Sequence, residues 1–298
     1  IKSVIHNQYK TKYDAFDYDY AAEYFKKFRP IIGACSAVSN GNLFGRNYDW
    51  TYDERCSFIV ETTANENRHA TLGVCVAPLD LTQAIIDSGE DSEGYKIIPF
   101  MLMDGINDAG LICEINVVPT GDKGITYGTN PDGDDMFAMM IPRYVLDNAA
   151  TVDDAIALIS NRNVFCANCD EMKQEFHFML TDGTKTAVIE FVENEMVVIE
   201  DFVDDKPIIT NFYLDGYDGT RESLTPYAMG IERQAILTNG FDNAPTENAM
   251  FDLMRSVFYT KTYSLNENPL WRSEYAGNWK TWGNLTKDTP PEDYSPIM

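Results

Sequence analysis

A short segment with an apolar–turn–apolar pattern constrains the fold of this chain more than any other feature. Residues 33–50 read GACSAVSNGNLFGRNYDW, so two apolar runs flank an SNGN turn at residues 39–42. Asn-Gly between apolar runs is typical of a β-hairpin, because both residues tolerate a positive φ. The predicted hairpin places Cys35 at the start of one strand. It places Arg46 and Asp49 at the end of the other, close to Cys35 in space.

These three side chains indicate an activated thiol. The thiolate is the reactive form of cysteine, and a neighbouring cation stabilises it. Cys35, flanked by the guanidinium of Arg46 and the carboxylate of Asp49, is therefore a candidate nucleophile. The hairpin taken alone leaves the kind of thiol chemistry open.

The same segment resembles the active-site hairpin of the linear-amide C–N hydrolases. The resemblance rests on Cys-Ser at residues 35–36, the turn, and Gly-Arg-Asn-Tyr-Asp at residues 45–49. That group contains the choloylglycine hydrolases, the penicillin V acylases and the acid-ceramidase and N-acylethanolamine amidase branch, all of them N-terminal-nucleophile (Ntn) hydrolases. The spacing of eleven positions from Cys35 to Arg46 is shorter than usual, as a tighter hairpin tip would make it. The resemblance implies an α+β fold, the four-layer αββα sandwich of Ntn hydrolases.

Three downstream residues match the motifs of that family. MDGINDAGLICEINVVP at residues 103–119 resembles the family's turn and the strand after it, which ends in an oxyanion-hole Asn and implies that role for Asn116. PIITNF at residues 207–212 implies an oxyanion donor at Asn211. A supporting active-site arginine is implied at Arg233. Asn116 read alone is better explained as a strand-end cap, and a helix-surface position explains Arg233 equally well.

The rest of the chain reads as strands and helices in alternating groups, which favours α+β layering. Apolar or β-branched runs predict strands, and helical spacing with capping residues predicts helices. Residues 78–94 are less regular and predict a loop near the site. The predicted strands lie at 57–62, 71–76, 176–180, 186–192, 196–199 and 207–212, and the predicted helices at 136–145, 151–159, from 232 onward and at 246–258.

Residues 1–34 read as a leader and residues 35–298 as one Ntn-hydrolase domain. A helical pattern runs from Asp17 to Phe28 and stops at Pro30. It fits an ordinary packed helix, and it equally fits a propeptide released by cleavage before Cys35. The last forty residues show no convincing counterpart of the strand pair with which family members usually close. Because the chain starts with Ile1 rather than Met, we expect that a segment was removed, and localisation stays open between secreted, cell-surface and cytoplasmic.

Composition narrows the partners. A formal net charge of −24 disfavours nucleic acid and anionic membranes as partners. No apolar run approaches the roughly 18–20 residues of a membrane span. The CxxC at Cys166 and Cys169 lacks the second pair of a zinc site and is either a local disulfide or two thiols. We therefore predict no metal and no cofactor, and a small-molecule partner, with a homo-oligomer left open.

The positions of the three histidines indicate that the catalytic base is not a histidine. His6, His69 and His177 lie in no catalytic motif, which argues against a Cys-His protease, and no nucleophile elbow supports a Ser-His-Asp hydrolase. An α-amine freed on Cys35 itself would titrate near pH 7.7–8.0, roughly, and could deprotonate its own thiol. The predicted function is hydrolysis of an N-acyl amide such as a conjugated bile salt, penicillin V or an N-acyl amine. The alternative is a silent precursor or binding protein of the same fold, in which Cys35 is not exposed.

Overall fold

The computed structural model describes eight stretches of the chain. They are residues 17–25, 35–48, 55–89, 92–119, 129–166, 174–220, 223–224 and 230–257. All structural statements below refer to these residues.

A seven-stranded antiparallel sheet forms the centre of the described fold. Its spatial order is β11-β10-β9-β6-β5-β4-β3. In chain order the strands are β3 (Arg55–Thr62), β4 (Thr71–Pro78), β5 (Leu102–Asn107), β6 (Ile112–Pro119), β9 (Gln174–Thr181), β10 (Thr186–Val192) and β11 (Glu195–Ile199). The long pairing of β6 with β9 joins two meanders that are separated in sequence.

A smaller sheet carries the predicted hairpin. It has the order β12-β1-β2, with β1 (Ser36–Asn40), β2 (Leu43–Asn47) and the two-residue β12 (Ile208–Ile209). The turn between β1 and β2 is as predicted, with Gly41 at φ +61°. A separate parallel pair is formed by β7 (Asp134–Phe137) and β8 (Arg162–Phe165).

Helices cover the outer face of each sheet. Helices α4 (Ile141–Asn148) and α5 (Val152–Ser160) pack on the large sheet. Helices α6 (Ile231–Gly240) and α7 (Glu247–Ser256) pack on the small sheet, where Val38 and Ile208 meet Leu237, Leu253 and Met254. The two sheets face each other through Ala37 and Ile209 on one side and Met179 and Val188 on the other. This gives the αββα layering that the sequence predicted. The helices are α1 (Tyr18–Phe25), α2 (Leu79–Ser88), α3 (Glu93–Ile97), α4 (Ile141–Asn148), α5 (Val152–Ser160), α6 (Ile231–Gly240) and α7 (Glu247–Ser256).

Most predicted elements are confirmed, and two predictions are wrong. The helix predicted over residues 136–145 begins only at Ile141, because residues 136–137 belong to β7 and residues 138–140 form a 3-10 turn. The meander of β9, β10 and β11 and the Thr151-capped helix α5 lie where the pattern placed them. Residues 78–94 were expected to form a loop, but most of them form α2 and the start of α3. The Asp- and Ser-rich composition hid an amphipathic helix whose Leu81 is buried against the main core and whose Ile85 packs on it.

The N-terminal helix packs into the main core. In α1, Ala21 is fully buried, and the Tyr18 ring makes edge-on contacts with Phe100 and Tyr144. The Tyr18 hydroxyl donates to Asp147 Oδ2 at 2.8 Å. Burial, followed by the nearby Asp147 charge, raises the pKa of Tyr18 well above its usual value, so the phenol stays a donor. The described part of the leader is therefore an integral layer of the fold.

None of the helices within the described ranges is both long and apolar enough to cross a membrane.

Candidate active site

The β1–β2 hairpin brings Cys35 and Arg46 together. Ala37 pairs with Arg46 in register, so Arg46 points to the same side as Cys35 and Ala37, toward the large sheet. Arg46 Nη2 lies 4.0 Å from Cys35 Sγ. Cys35 is 2% exposed and carries a thiol that is not in a disulfide. A buried thiol beside a guanidinium is the arrangement that the sequence predicted.

Three groups of the large sheet hold Arg46 in place. Its Nη1 donates to Asp104 Oδ2 and its Nη2 to the Ile115 carbonyl, both at 2.6 Å. Its Nε lies 3.1 Å from Glu114 Oε2, which is close enough for an ion pair although the angle misses hydrogen-bond alignment. Burial alone would lower the pKa of Arg46, but Asp104 and Glu114 outweigh it and raise the pKa above its usual value. The guanidinium is therefore a fixed positive charge in the site.

The other face of the hairpin is locked onto α7. A Cβ at Gly45 would lie 2.8 Å from Met250 Sδ and from Met254 Cγ, so only glycine allows this approach of strand and helix. Asn47 Nδ2 donates to the Met254 carbonyl at 2.7 Å. Because Gly45 and Asn47 both face α7, Arg46 between them points to the opposite side of the strand, toward the large sheet.

Asn211 and Arg233 form a second arm of the site. Asn211, fully buried just after β12, donates from Nδ2 to the Val117 carbonyl at 2.6 Å. Its Oδ1 accepts from Arg233 Nη2 at 2.6 Å, and Arg233 Nη1 donates to the Cys35 carbonyl. Arg233 is 5% exposed, so the alternative of a helix-surface arginine is wrong. The arginine joins the Cys35 backbone to the Asn211 amide and orients Nδ2.

Asn116 lies within β6 rather than at its end, which removes the explanation as a strand-end cap. It is 1% exposed and pairs in register with His177 of β9. Its side-chain amide faces two acceptors, Glu114 Oε2 at 3.1 Å and the Ile115 carbonyl at 3.2 Å. With Glu114 ionised, chemistry requires the nitrogen of the amide to point toward them.

A buried ion pair supports the segment that carries Asn211. His177 Nδ1 lies 3.0 Å from Glu190 Oε1, and its Nε2 lies 3.0 Å from the Thr210 carbonyl. The Glu190 carboxylate already accepts two backbone N–H groups, from Leu214 and Asp215. Both ring nitrogens therefore face acceptors, and the imidazole bridges the Glu190 carboxylate to the Thr210 carbonyl. The histidine is structural, as the sequence suggested, and it fixes the residue before Asn211.

Four of the six predicted site residues, Cys35, Arg46, Asn211 and Arg233, are joined by direct contacts. Asn116 is linked to Arg46 through Glu114, and Asp49 lies outside the described residues. Sequence reasoning missed Asp104 and Glu114, the two carboxylates on Arg46. Glu114 had a detectable signal: a charged residue inside an otherwise apolar strand, two positions before Asn116. Cys166 is disulfide-bonded, whereas Cys169 lies outside the described residues. Cys75 and Cys113 are buried thiols.

The arrangement can support acyl transfer. It offers a thiol, a fixed cation beside it, and an oriented amide N–H that could meet a developing oxyanion. Across the described ranges, no group of three or more His, Cys, Asp or Glu side chains is placed to hold a metal ion.

Comparisons with known proteins agree with this chemistry. Residues 35–245 match the family model described as linear amide C–N hydrolases, choloylglycine hydrolase family. A search of curated proteins finds no match.

The solved structures similar to this chain include two structures of one bile acid hydrolase and one structure of a penicillin V acylase. A mutant conjugated bile acid hydrolase from Clostridium perfringens has a TM-score of 0.41 and 18% identity, with 61% of this chain and 54% of that chain covered. A penicillin V acylase from Agrobacterium tumefaciens has a TM-score of 0.46 and 15% identity, with coverages of 81% and 77%. A variant of the Clostridium perfringens hydrolase has a TM-score of 0.43 and 15% identity, with coverages of 76% and 79%. The chain thus spans about half the length of the first of these proteins.

Proposed function

Because the chain belongs to the choloylglycine hydrolase family of linear amide C–N hydrolases, we propose that it hydrolyses a linear, non-peptide amide with Cys35 as nucleophile. One observation carries the proposal: Arg46 and Arg233 come from opposite ends of the chain and both contact Cys35. A buried structural thiol would need neither cation. The thiols of Cys75 and Cys113 are also buried and free, and burial raises the pKa of each above its usual value.

The proposed mechanism needs a free α-amine on Cys35. Cleavage of the Ala34–Cys35 bond would supply it, and the amine would then take the thiol proton. The thiolate attacks the amide carbonyl, and the oxyanion accepts a hydrogen bond from Asn211 Nδ2, whose other N–H is bound to Val117. Collapse expels the amine product, which takes the proton from the α-ammonium. Water, deprotonated by the same α-amine, then hydrolyses the thioester and releases the acid.

Arg46 and Arg233 would have different tasks. Arg46 faces the sulfur and favours its anionic form. Arg233 holds the Cys35 carbonyl and the Asn211 oxygen, so it orients the nucleophile relative to the oxyanion donor. Asp49 is proposed to hold the α-amine or the thiol, as the family resemblance implies.

The contacts of α1 support a leader that stays bound after cleavage. Tyr18 and Ala21 are anchored in the core of the domain. Residues 1–34 would then act as a non-covalent subunit of a single Ntn-hydrolase unit that begins at Cys35.

The substrate is proposed as an N-acyl amide with an apolar acyl group. The solved structures similar to this chain are named for conjugated bile acids and penicillin V, and N-acyl amines complete the set to be assayed. Hydrolysis of at least one of the three classes is expected from purified protein. Activity that Cys35→Ala retains would contradict Cys35 as nucleophile.

Intact mass under denaturing conditions separates this proposal from its rival. Cleaved protein shows a mass that begins at Cys35, while a silent precursor or binding protein keeps residues 1–34 covalently attached. Uncleaved, inactive protein would overturn the proposed enzyme.

A further inference from the structure

Glu114 is the most unusual residue between the two sheets. It lies in β6, directly between Asp104 of β5 and Met179 of β9, and its side chain has no solvent exposure. Burial raises the pKa of Glu114 to about 7, even though Arg46 and His177 favour the ionised form. A carboxyl placed in this way is expected to change its charge in the neutral range.

Its contacts join two site residues that do not otherwise touch through their side chains in the described structure. Oε2 lies 3.1 Å from Arg46 Nε and 3.1 Å from the Asn116 amide. Oε1 has no hydrogen-bond partner among the described residues. Two functional groups thus depend on one oxygen of a buried carboxyl.

The protonation of Glu114 changes what Asn116 can do. An ionised carboxylate only accepts, so it requires Nδ2 of Asn116 to face it. The two N–H groups of that amide are then used by Glu114 and the Ile115 carbonyl, and neither is left for an oxyanion. A protonated Glu114 can instead donate to Oδ1 of Asn116, which turns Nδ2 away from Glu114. This orientation places Oδ1 3.2 Å from the Ile115 carbonyl, so it forms only when the Glu114 proton is present.

We propose that Glu114 is a positioning residue: it holds the Arg46 guanidinium, and its proton decides which atom of the Asn116 amide is presented to the substrate. This inference rests on the proposed hydrolase function. At acidic pH, Glu114 is protonated and Asn116 can present Nδ2 to the substrate. When Glu114 ionises, Nδ2 turns back toward the carboxylate. The charged groups that face Glu114 among the described residues are Arg46 from β2, Asp104 from β5 and His177 from β9.

The test compares E114Q with the wild type across pH. Glutamine keeps the size of the side chain, cannot ionise, and can donate to Asn116 Oδ1. The ratio of kcat/KM for E114Q to that of the wild type, measured on penicillin V or glycocholate, largely cancels the titration of Cys35 and its amine. We expect a ratio near one at pH 5.5 that rises about tenfold by pH 8.5, since one oxyanion donor contributes roughly 10²-fold to turnover. A ratio that stays flat with pH overturns the proposal.

Two further variants test the coupling. In an N116A background, the E114Q substitution is expected to leave no pH-dependent ratio, and an unchanged rise would overturn the link to Asn116. E175Q, which removes a carboxyl from a buried position on the same sheet face, is the matched control and is expected to give a flat ratio. Should E114Q fail to fold, E114D withdraws the carboxyl by one methylene, and the same rise is expected.

Alkylation separates this inference from the proposed function. A wild-type protein that hydrolyses none of the amides contradicts the function alone, because iodoacetamide still reports on Cys35. E114Q removes a negative charge beside Arg46, so we expect the pH midpoint of Cys35 alkylation to fall. An unchanged midpoint would overturn the contact between Glu114 and Arg46.

Discussion

The two faces of the large sheet are built from the same strands and have opposite chemistry. The face toward α4 and α5 is apolar, with Phe178 and Ile189 in the main core. Their chain neighbours His177 and Glu190 point the other way and form a buried ion pair. Alternation along a strand thus places a stabilising layer and a chemical layer one residue apart.

The comparison shows that the inter-sheet face carries the energetic cost of burying charged groups. Buried charges contribute little to stability even when they are paired, whereas buried aromatic rings contribute several kcal/mol each. Asp104, Glu114, Asn116, His177 and Glu190 all lie on the inter-sheet face. We therefore expect substitutions on the inter-sheet face to change the activity of the protein that remains folded, and substitutions on the helix face to change stability with little effect on activity.

The largest effect is expected from a comparison of two buried free cysteines, Cys35 beside Arg46 and Cys113 on the helix face of the large sheet. Cys35→Ala should reduce turnover by at least about 10⁴-fold, because removing a nucleophile abolishes the covalent step. Cys113→Ala, on the helix face of β6, should retain turnover and lose roughly 1 kcal/mol of stability. Steady-state assays and chemical denaturation of both variants measure the contrast, and a comparable loss of turnover in Cys113→Ala would break it.

A smaller loss is expected at Asn211. Replacing it with Ala should lower kcat about 10²–10³-fold, since it removes one oxyanion donor. Thr210→Val is the matched control, because it keeps the backbone carbonyl that His177 binds and should retain most activity. Equal kcat values for Asn211→Ala and the wild type would exclude Asn211 from the chemistry.

Adjacent residues of β9 sharpen the comparison in terms of stability. Phe178→Ala should cost about 3–5 kcal/mol of unfolding free energy by leaving a cavity. His177→Gln should lower kcat in the protein that remains folded, because the Thr210 carbonyl before Asn211 loses its partner. Denaturant titration measures the unfolding free energy of each variant, and kcat is measured on the folded fraction. A change of kcat in Phe178→Ala but not in His177→Gln would contradict the comparison.

Stability should also depend on pH through Glu114. Its pKa is raised in the folded protein, so its contribution is fully present below the unfolded-state value and is lost as pH rises through about 7. The glutamine in E114Q cannot ionise, so this loss of stability with rising pH is absent in the variant. The Tm of E114Q minus that of the wild type should therefore be about 2 °C or more higher at pH 8 than at pH 4. A Tm difference independent of pH would show that Glu114 does not titrate in this range.

The smallest effect is expected at the leader helix. Tyr18→Phe removes the hydrogen bond to Asp147 and should cost about 1–2 kcal/mol, with no change in kcat. Size-exclusion chromatography of the cleaved protein would show whether residues 1–34 still co-elute with the domain. Complete loss of the leader from the wild type would contradict a bound subunit.

Local patterns predicted much of the fold and part of the site. The Asn-Gly turn and the alternation of β9 and β10 depend on neighbouring residues, so sequence reasoning placed them. Glu114 and Asp104 could not be assigned, because their role comes from a pairing between β5 and β6 that brings them to Arg46 of another sheet. Residues 78–94 were wrongly predicted as a loop, because their polar residues lie on one exposed helix face. Packing of Leu81 and Ile85 on the main core stabilises the helix.

The bond from Arg233 to the Cys35 carbonyl joins residues 198 positions apart in the chain. Contacts of such long range form late, because the intervening chain must be ordered first. A ribosome would have to release residues 230–257 before α6 could dock and complete the surroundings of Cys35. Under the proposed function, self-cleavage at Cys35 would therefore be timed by folding, because the contacts around this cysteine are incomplete until α6 has been made and has docked.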